Sequence, residues 1–343
     1  MPEKPYMPPY SVTDKIVRLV AEISEQVGVA TAKHEGTVSP YLRRDNQIRT
    51  IHSSLAIENN SLSLAQVTDV INGKRILGAP NEIREVKNAY EAYSILLSFD
   101  PFDIDDLLNA HKILMLDLTN ESGRFRSGGI GVFAGKRLVH MAPPADLVPK
   151  LTSDLLNWVR NSDAHPLIKS CVFHYEFEFI HPFADGNGRM GRMWQTLLLS
   201  RWKPVFNWLP VETLIRERQD EYYKVLAVAD KAADSTAFIE FMLCVIRDAL
   251  CEIIQTEQVR EQVTEQVERL ISIMGNETLS AKELLKKLNL KHRPTFSNNY
   301  LHPALELGLI EMTIPDKPNS SKQKYRKKVE KSLPIENNGS WKE

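Results

Sequence analysis

Residues 181–192 read HPFADGNGRMGR, and these twelve positions hold one His, one Asp, one Asn, two Arg and three Gly. The set suits a phosphate-bearing ligand. Gly186 and Gly188 lack Cβ atoms, so phosphate oxygens can approach the backbone N–H groups closely. Arg189 and Arg192 are three apart, are expected to share an exposed helix face, and offer planar forks for further phosphates. Asp185 supplies a hard oxygen suited to a Mg2+ ion that bridges phosphates. His181 is the one side chain here whose unperturbed pKa lies near neutrality, so it is the natural general base. The chemistry implied is attack by a hydroxyl, deprotonated at His181, on a nucleoside triphosphate.

Two buried helices must hold these residues. From Leu167 to Phe179 the pattern is helical, with Phe173, Phe177 and Ile180 on a core face. Pro182 should drive His181 out of the helical region and off the helix axis. A second helix is expected from about Asn187 or Gly188, with Met190, Met193, Trp194, Leu197 and Leu198 as its apolar stripe. Its first N–H groups lack helical partners and its dipole favours negative charge, which makes an anion site of the junction. A rival reading takes His174, Glu178 and His181 as metal ligands on one face. Neither H-E-x-x-H nor H-x-x-E-H is present, however, and Pro182 turns His181 away from that face.

A second candidate lies upstream. SSLAIENN places Ser54 and Glu58 four apart on one helix face, with the carboxylate at the helix end. Alone, this is a polar terminus in solvent. Glutamate there opposes the helix dipole at a cost under about 1 kcal/mol, which hints at a cationic partner.

The loop resembles the Fic motif, HPFx(D/E)GNGRxxR, and every fixed position matches. The flanking pattern resembles the family from about residue 40 to 250. The resemblance implies a mainly α fold and transfer of AMP from ATP to a Ser, Thr or Tyr hydroxyl of a target protein, with Mg2+. It implies that His181 deprotonates the acceptor, that Asp185 binds the metal, and that Asn187 with the Gly186 and Gly188 amides holds the α-phosphate. It implies further that Arg189 and Arg192 bind the β- and γ-phosphates, so that the ATP-binding run passes through Met190 and Gly191. The Doc branch, which phosphorylates, typically has Lys where this chain has Gly188, and the departure favours AMP transfer. SSLAIENN resembles the family's inhibitory motif, (S/T)xxxE(G/N), and implies that Glu58 pairs with Arg192 and takes it from the γ-phosphate. The glycine-rich stretch Ile130 to His140 reads as a hairpin. It resembles the family's flap, whose edge, through Gly131, Val132 and Phe133, would receive the target segment. Tyr222 and Tyr223 resemble a Tyr-Tyr pair near the adenine, with core packing as the alternative.

The frame around these residues is ordinary for a globular chain. It has 343 residues, 43% hydrophobic and 25% charged, with net charge −1, so partners must be read from local patches. Cys171, Cys244 and Cys251 form no C-x-x-C pair, so a disulfide framework is not expected. No signal peptide and no membrane span are expected, which fits a cytoplasmic setting. Four regions are expected: an N-terminal helical region with the inhibitory helix (1–100), a catalytic core (101–254), a winged helix-turn-helix (255–332) and a disordered tail (333–343). Ser280 caps AKELLKKLNL, a second helix runs from Pro294 to Gly308 with a kink expected at Pro303, and IEMTI with QKYRKK suits a β-wing. The basic run Lys322, Lys324, Arg326, Lys327 and Lys328 would suit DNA phosphates. The competing whole-chain reading is therefore a DNA-binding or protein-binding regulator with a vestigial core. Self-association as a homodimer stays open.

Overall fold

The computed structural model describes residues 6–33, 40–134, 137–275, 277–318, 320 and 322–328. The tail expected at 333–343 lies outside the described residues. The chain divides into two compact units, Met1–Ile253 and Ile254–Glu343.

Among its described residues the first unit is helical apart from one hairpin, and its last helix runs past Ile253 into the second unit. In order come α1 (Asp14–Lys33), α2 (Pro40–Ile57), α3 (Leu64–Ile71), α4 (Pro80–Ser94), α5 (Ile104–Leu114), β1 (Gly131–Ala134), β2 (Arg137–Met141), α6 (Val148–Asn161), α7 (Pro166–Ile180), α8 (Asn187–Trp202), α9 (Val211–Glu217), α10 (Gln219–Ala232) and α11 (Thr236–Met274). α7 and α8 form the centre. α7 buries residues on every side, including Cys171, Phe173, His174, Glu176 and Phe177, as expected of a helix apolar all round. α8 buries both faces from Arg189 to Ser200.

Local signals set the ends. Ser63 and Gln66, three apart in the sequence, form a capping box at the start of α3. α2 ends at Asn59, which takes the left-handed conformation (φ 68°). Asn60 N–H then reaches Leu55 O and Asn59 N–H reaches Ala56 O, closing the terminal carbonyls. That closure fixes the direction of Glu58. Between α9 and α10 the backbone departs from helical geometry at Arg218 (φ −110°, ψ 31°), so the two are separate helices. α11 is one helix of 39 residues, and takes in both the helix and the charged connecting helix that the sequence suggests on either side of Gln255. The Pro-rich arm is extended and tied down: Pro9 O accepts from Ser235 N–H (2.9 Å), and Tyr6 Oη donates to Glu176 (2.6 Å).

The second unit has its own core of Val267, Leu270, Met274, Leu279, Leu284, Leu288, Phe296, Tyr300, Leu301, Ala304, Ile310 and Tyr325. After α11 come β3 (Leu279–Ser280), α12 (Ala281–Lys287), α13 (Arg293–Phe296), α14 (His302–Glu306), β4 (Ile310–Met312) and β5 (Lys324–Lys327). The strands form one antiparallel sheet in the order β3-β5-β4. Helix, helix, then hairpin is the order expected, with β3 added. A π turn over Ser297–Leu301 joins α13 to α14. Pro303, inside α14, has no N–H to give a regular ladder, and the wide turn before it absorbs the defect. Gly308 (φ 66°) ends the helix as expected. No helix among the described residues is long and apolar enough to cross a membrane.

Candidate active site

His181 is the C-cap of α7 and sits in the left-handed region (φ 50°, ψ 62°) rather than in the extended region that Pro182 alone favours. That conformation costs about 1–2 kcal/mol for a residue with a Cβ, so other contacts must hold it. Arg126 does so. Its guanidinium is buried (3% exposed). Nε donates to His181 O (2.7 Å), Nη2 to Ile180 O (3.2 Å) and Pro143 O (2.6 Å), and Nη1 to Gly128 O (2.8 Å). Its backbone N–H donates to Pro182 O (3.0 Å). One buried cation thus ties the end of α7 to both roots of the hairpin. The His181 ring places Nδ1 3.3 Å from Glu178 O, a carbonyl that can only accept. The proton therefore sits on Nδ1, and Nε2 is the basic nitrogen.

His111, on α5, holds the other side of the loop. It is fully buried, stacked on Phe183 (3.7 Å between ring centres, 2° between planes). Gly123 N–H donates to Nδ1 (2.9 Å), so Nε2 carries the proton and donates to Asp185 O (3.0 Å). Burial pushes its pKa down to about 4, so the ring is neutral.

Asn187 opens α8 with its side chain fully committed. Oδ1 accepts from Phe183 N–H and Nδ2 donates to Phe183 O, both at 2.8 Å. The side chain thereby staples the loop to the start of α8. Gly186 takes a positive φ (85°), and a Cβ there would lie only 2.7 Å from the Met115 sulfur. Gly186 N–H and Arg189 Nη2 (3.1 Å) both donate to Asp185 Oδ1.

Arg189 and Arg192 do not share an exposed face; they are 5% and 2% exposed. The reason is electrostatic: carboxylates from other helices reach both. Glu85 on α4 accepts from Arg189 Nη1 (3.0 Å) and from Asn60 Nδ2 (2.7 Å). Arg189 Nε is buried without a hydrogen-bond partner. Arg192 Nη2 donates to Glu58 Oε1 (2.7 Å) and to Ser54 O (3.0 Å), while Nε donates to Ser54 Oγ (3.1 Å). A Cβ on Gly188 would overlap the Glu58 carboxylate. Glu58 therefore lies against the first turn of α8. Burial alone would lower the Arg192 pKa. The surrounding acids, Glu58 first and then Tyr222 and Glu178, outweigh it and keep the guanidinium charged.

Met190 is fully buried in the core. A Cβ on Gly191 would press on Glu178, His174 and Phe177 at 3.1–3.4 Å. These two positions serve the close approach of α7 and α8. Tyr222 is likewise core: it is 1% exposed, and its hydroxyl donates to His174 Nε2 (3.0 Å). Tyr223 remains 47% exposed. His174 bonds Gln195 through Nδ1 (2.7 Å) and is pushed down to about 3 by burial, so it is a neutral core group. No metal-ligand cluster of three or more His, Cys, Asp or Glu occurs among the described residues. In the hairpin, Gly131 pairs with Met141, Val132 with His140 and Phe133 with Leu138, with a bulge between Val132 and Phe133. The side chains of Val132 and Phe133 lie outside the described residues.

Sequence reasoning missed Arg126, His111 and Glu85. For Arg126 the only signal was composition, an arginine in the glycine-rich run SGRFRSGG. It also passed over Glu178 as a titrating group. Burial raises Glu178 to about 7 from its usual 4.5, with Glu58 adding and Arg192 opposing. Its Oε1 has no hydrogen-bond partner. Because the folded value is raised, the protonated form favours the fold. That contribution is complete below about pH 4.5 and is lost as pH rises through about 7. Glu178→Gln is expected to gain on the parent by about 2–3 kcal/mol between pH 5 and pH 8. Urea midpoints of both proteins across that range check this; a difference that does not vary with pH counts against it.

The profile "Fic/DOC family" matches residues 101–199. A second, "Filamentation induced by cAMP protein Fic-like, C-terminal domain", matches residues 265–327. A crystal structure of a Fic family protein from Desulfovibrio desulfuricans G20 is 57% identical, with 96% of this chain and 100% of that chain covered and a TM-score of 0.74.

The chain belongs to the Fic family.

Among curated Fic relatives, "Protein adenylyltransferase fic-1" of Caenorhabditis elegans is 27% identical over 215 residues, 59% of this chain and 40% of the relative. "Probable protein adenylyltransferase aq_aa38" of Aquifex aeolicus is 29% identical over 160 residues, 45% of this chain and 46% of the relative. The chain thus spans under half the length of these relatives. The Fic profile covers the segment that carries His111, Arg126 and the whole 181–192 loop.

Arg126 yields an expected result of its own. Arg126→Ala strips a charged donor from four carbonyls, and should cost about 3 kcal/mol of stability. Thermal unfolding with and without millimolar guanidinium checks it. The added ion should recover part of the loss in the alanine variant alone, and no recovery would point to a packing role.

Proposed function

We propose that this Fic chain is a protein adenylyltransferase held in check by its own Glu58. His181 Nε2 would accept the proton of a Ser, Thr or Tyr hydroxyl as that oxygen attacks the α-phosphorus of ATP. The leaving group is diphosphate, and the new bond joins AMP to the acceptor oxygen. The first-turn N–H groups of α8 would meet the phosphates, with the helix dipole favouring their charge. Arg189 would add its Nε, a buried donor with no hydrogen-bond partner in the present arrangement. Mg2+ fits Asp185: both protein contacts fall on Oδ1, and the side chain is 60% exposed. A bound Mg2+ would neutralise developing phosphate charge. Tyr223, half-exposed beside buried Tyr222, would pack on the base, and the β1 edge at Gly131–Phe133 would align the target segment.

The carrying observation is the Glu58 carboxylate on Arg192 at 2.7 Å and over Gly188. It supports inhibition because an anion of the chain itself engages the donors a γ-phosphate would need. Relatives named as adenylyltransferases support the reaction type, and Gly188 in place of lysine supports AMP transfer over phosphorylation. The test is ATP labelled at either end, with Mg2+ and a cell extract as acceptor, using the Glu58→Gly chain. Label from the α-phosphate is expected on protein, and label from the γ-phosphate is not. Transfer of the γ-label would overturn the reading.

A further inference from the structure

The charge of this chain is not spread evenly. Residues 279–328 carry eleven Lys and Arg against four Asp and Glu, in a chain whose net charge is −1. Two of those four acids are already engaged. Glu283 closes the capping box of α12, and Glu311 accepts from Arg326 (2.6 Å). Between Glu283 and Glu306 the sequence has no acid at all, so α13, the π turn and most of α14 carry none.

Along that continuous helical segment two stripes face opposite ways. Phe296, Tyr300, Leu301 and Ala304 are buried in the core of the unit. Thr295, Asn298, Asn299 and His302 are exposed on the other side, preceded by exposed Lys291 and Arg293. The π turn widens the helix where the two asparagines stand; such turns recur at functional sites. In β5, Tyr325 points into the core while Lys324, Arg326 and Lys327 are exposed, and Lys322 and Lys328 flank them.

We propose that this unit binds double-stranded DNA, with the Thr295–His302 stripe in the major groove and the β5 lysines on the adjoining phosphates. The stripe's chemistry selects the ligand. Asparagine amides can pair bidentately with adenine edges, and Thr and His add single donors and acceptors. Lysines carried on a β-hairpin beside the reading helix meet the backbone, which fixes register without reading sequence. Duplex RNA is disfavoured because its major groove is too narrow for a helix. An acidic protein partner is disfavoured because the stripe has no apolar or aromatic anchor of the kind that dominates protein interfaces; the exposed Leu307 and Leu309 lie beyond its end. The inference is independent of the adenylyltransferase reading, since none of its residues lies in the Fic loop.

Fluorescence anisotropy of the full chain on labelled 24-base-pair DNA tests it. Six contacts, from Lys291, Arg293, Lys322, Lys324, Lys327 and Lys328, predict an affinity loss of about a thousandfold between 50 and 200 mM salt. The triple change Lys324→Glu, Lys327→Glu and Lys328→Glu should reduce the log–log salt slope by about 3. Asn298→Ala with Asn299→Ala should leave that slope unchanged and flatten discrimination among duplex sequences. All five positions are exposed, so circular dichroism and thermal unfolding should match the parent. No binding at 10 µM protein in 50 mM salt, equal binding to polyglutamate, or tighter binding to duplex RNA would each overturn the proposal.

Discussion

Glu58→Gly is expected to raise AMP transfer at least about 100-fold over the parent. A hundredfold change corresponds to about 2.7 kcal/mol, and one ion pair with a buried partner is of that size. Arg192 is 1% exposed at its side chain and Glu58 33%. The pair therefore keeps much of its strength against solvent screening. Ser54 Oγ and O still hold the guanidinium once the carboxylate has gone. Arg192 is thus left aimed and without its counter-charge, which favours an incoming phosphate. The same change should lower stability without ligand, because it strands a buried charge. It should enlarge the stabilisation by Mg2+-ATP, because binding then restores a counter-charge. Labelling rate and the ATP-induced rise in thermal midpoint, measured together, check the argument. Equal labelling by a correctly folded variant and its parent would remove Glu58 from regulation.

His181→Ala, in the Glu58→Gly chain, is expected to cut transfer by about 10²–10⁴-fold, the usual worth of a positioned general base. The geometry makes the loss specific. Glu178 O engages Nδ1 and Arg126 fixes the backbone, so Nε2 is the nitrogen presented to an acceptor. The phosphate donors of α8 are separate groups, which the change leaves in place. ATP affinity should therefore be nearly unchanged, with the defect falling in kcat. The pH profile of the active form should show a limb for the base, and this limb should vanish in the variant. A variant that still transfers AMP at the parental rate would require another base.

Much of this was open to sequence reading because the relevant signals are local. The loop's residue types, the apolar stripe of α8, the Ser63 cap and the Ser54–Glu58 spacing depend only on neighbours a few positions apart. Helix ends were less legible. The break at Arg218 falls in a run without Gly or Pro, so no local signal announces it. Among the site residues, Tyr222 shows the same limit. A tyrosine beside another tyrosine suits a base-stacking role or a core role equally, until His174 is seen to take its hydroxyl.

By itself, then, the sequence determined which groups stand close together: an imidazole at His181, a carboxylate at Asp185, glycines without Cβ atoms beside two arginines, and a carboxylate four residues after Ser54. Tertiary structure alone decided what those groups touch. It buried Arg189 and Arg192 against Glu85 and Glu58, turned Asn187 into a staple, and placed Arg126 and His111 as braces on the loop. The physical reason is distance along the chain. Arg126 lies 55 residues from His181 and Glu58 lies 134 from Arg192, and no local pattern encodes a contact that only the packing of α2, α5, α7 and α8 brings about.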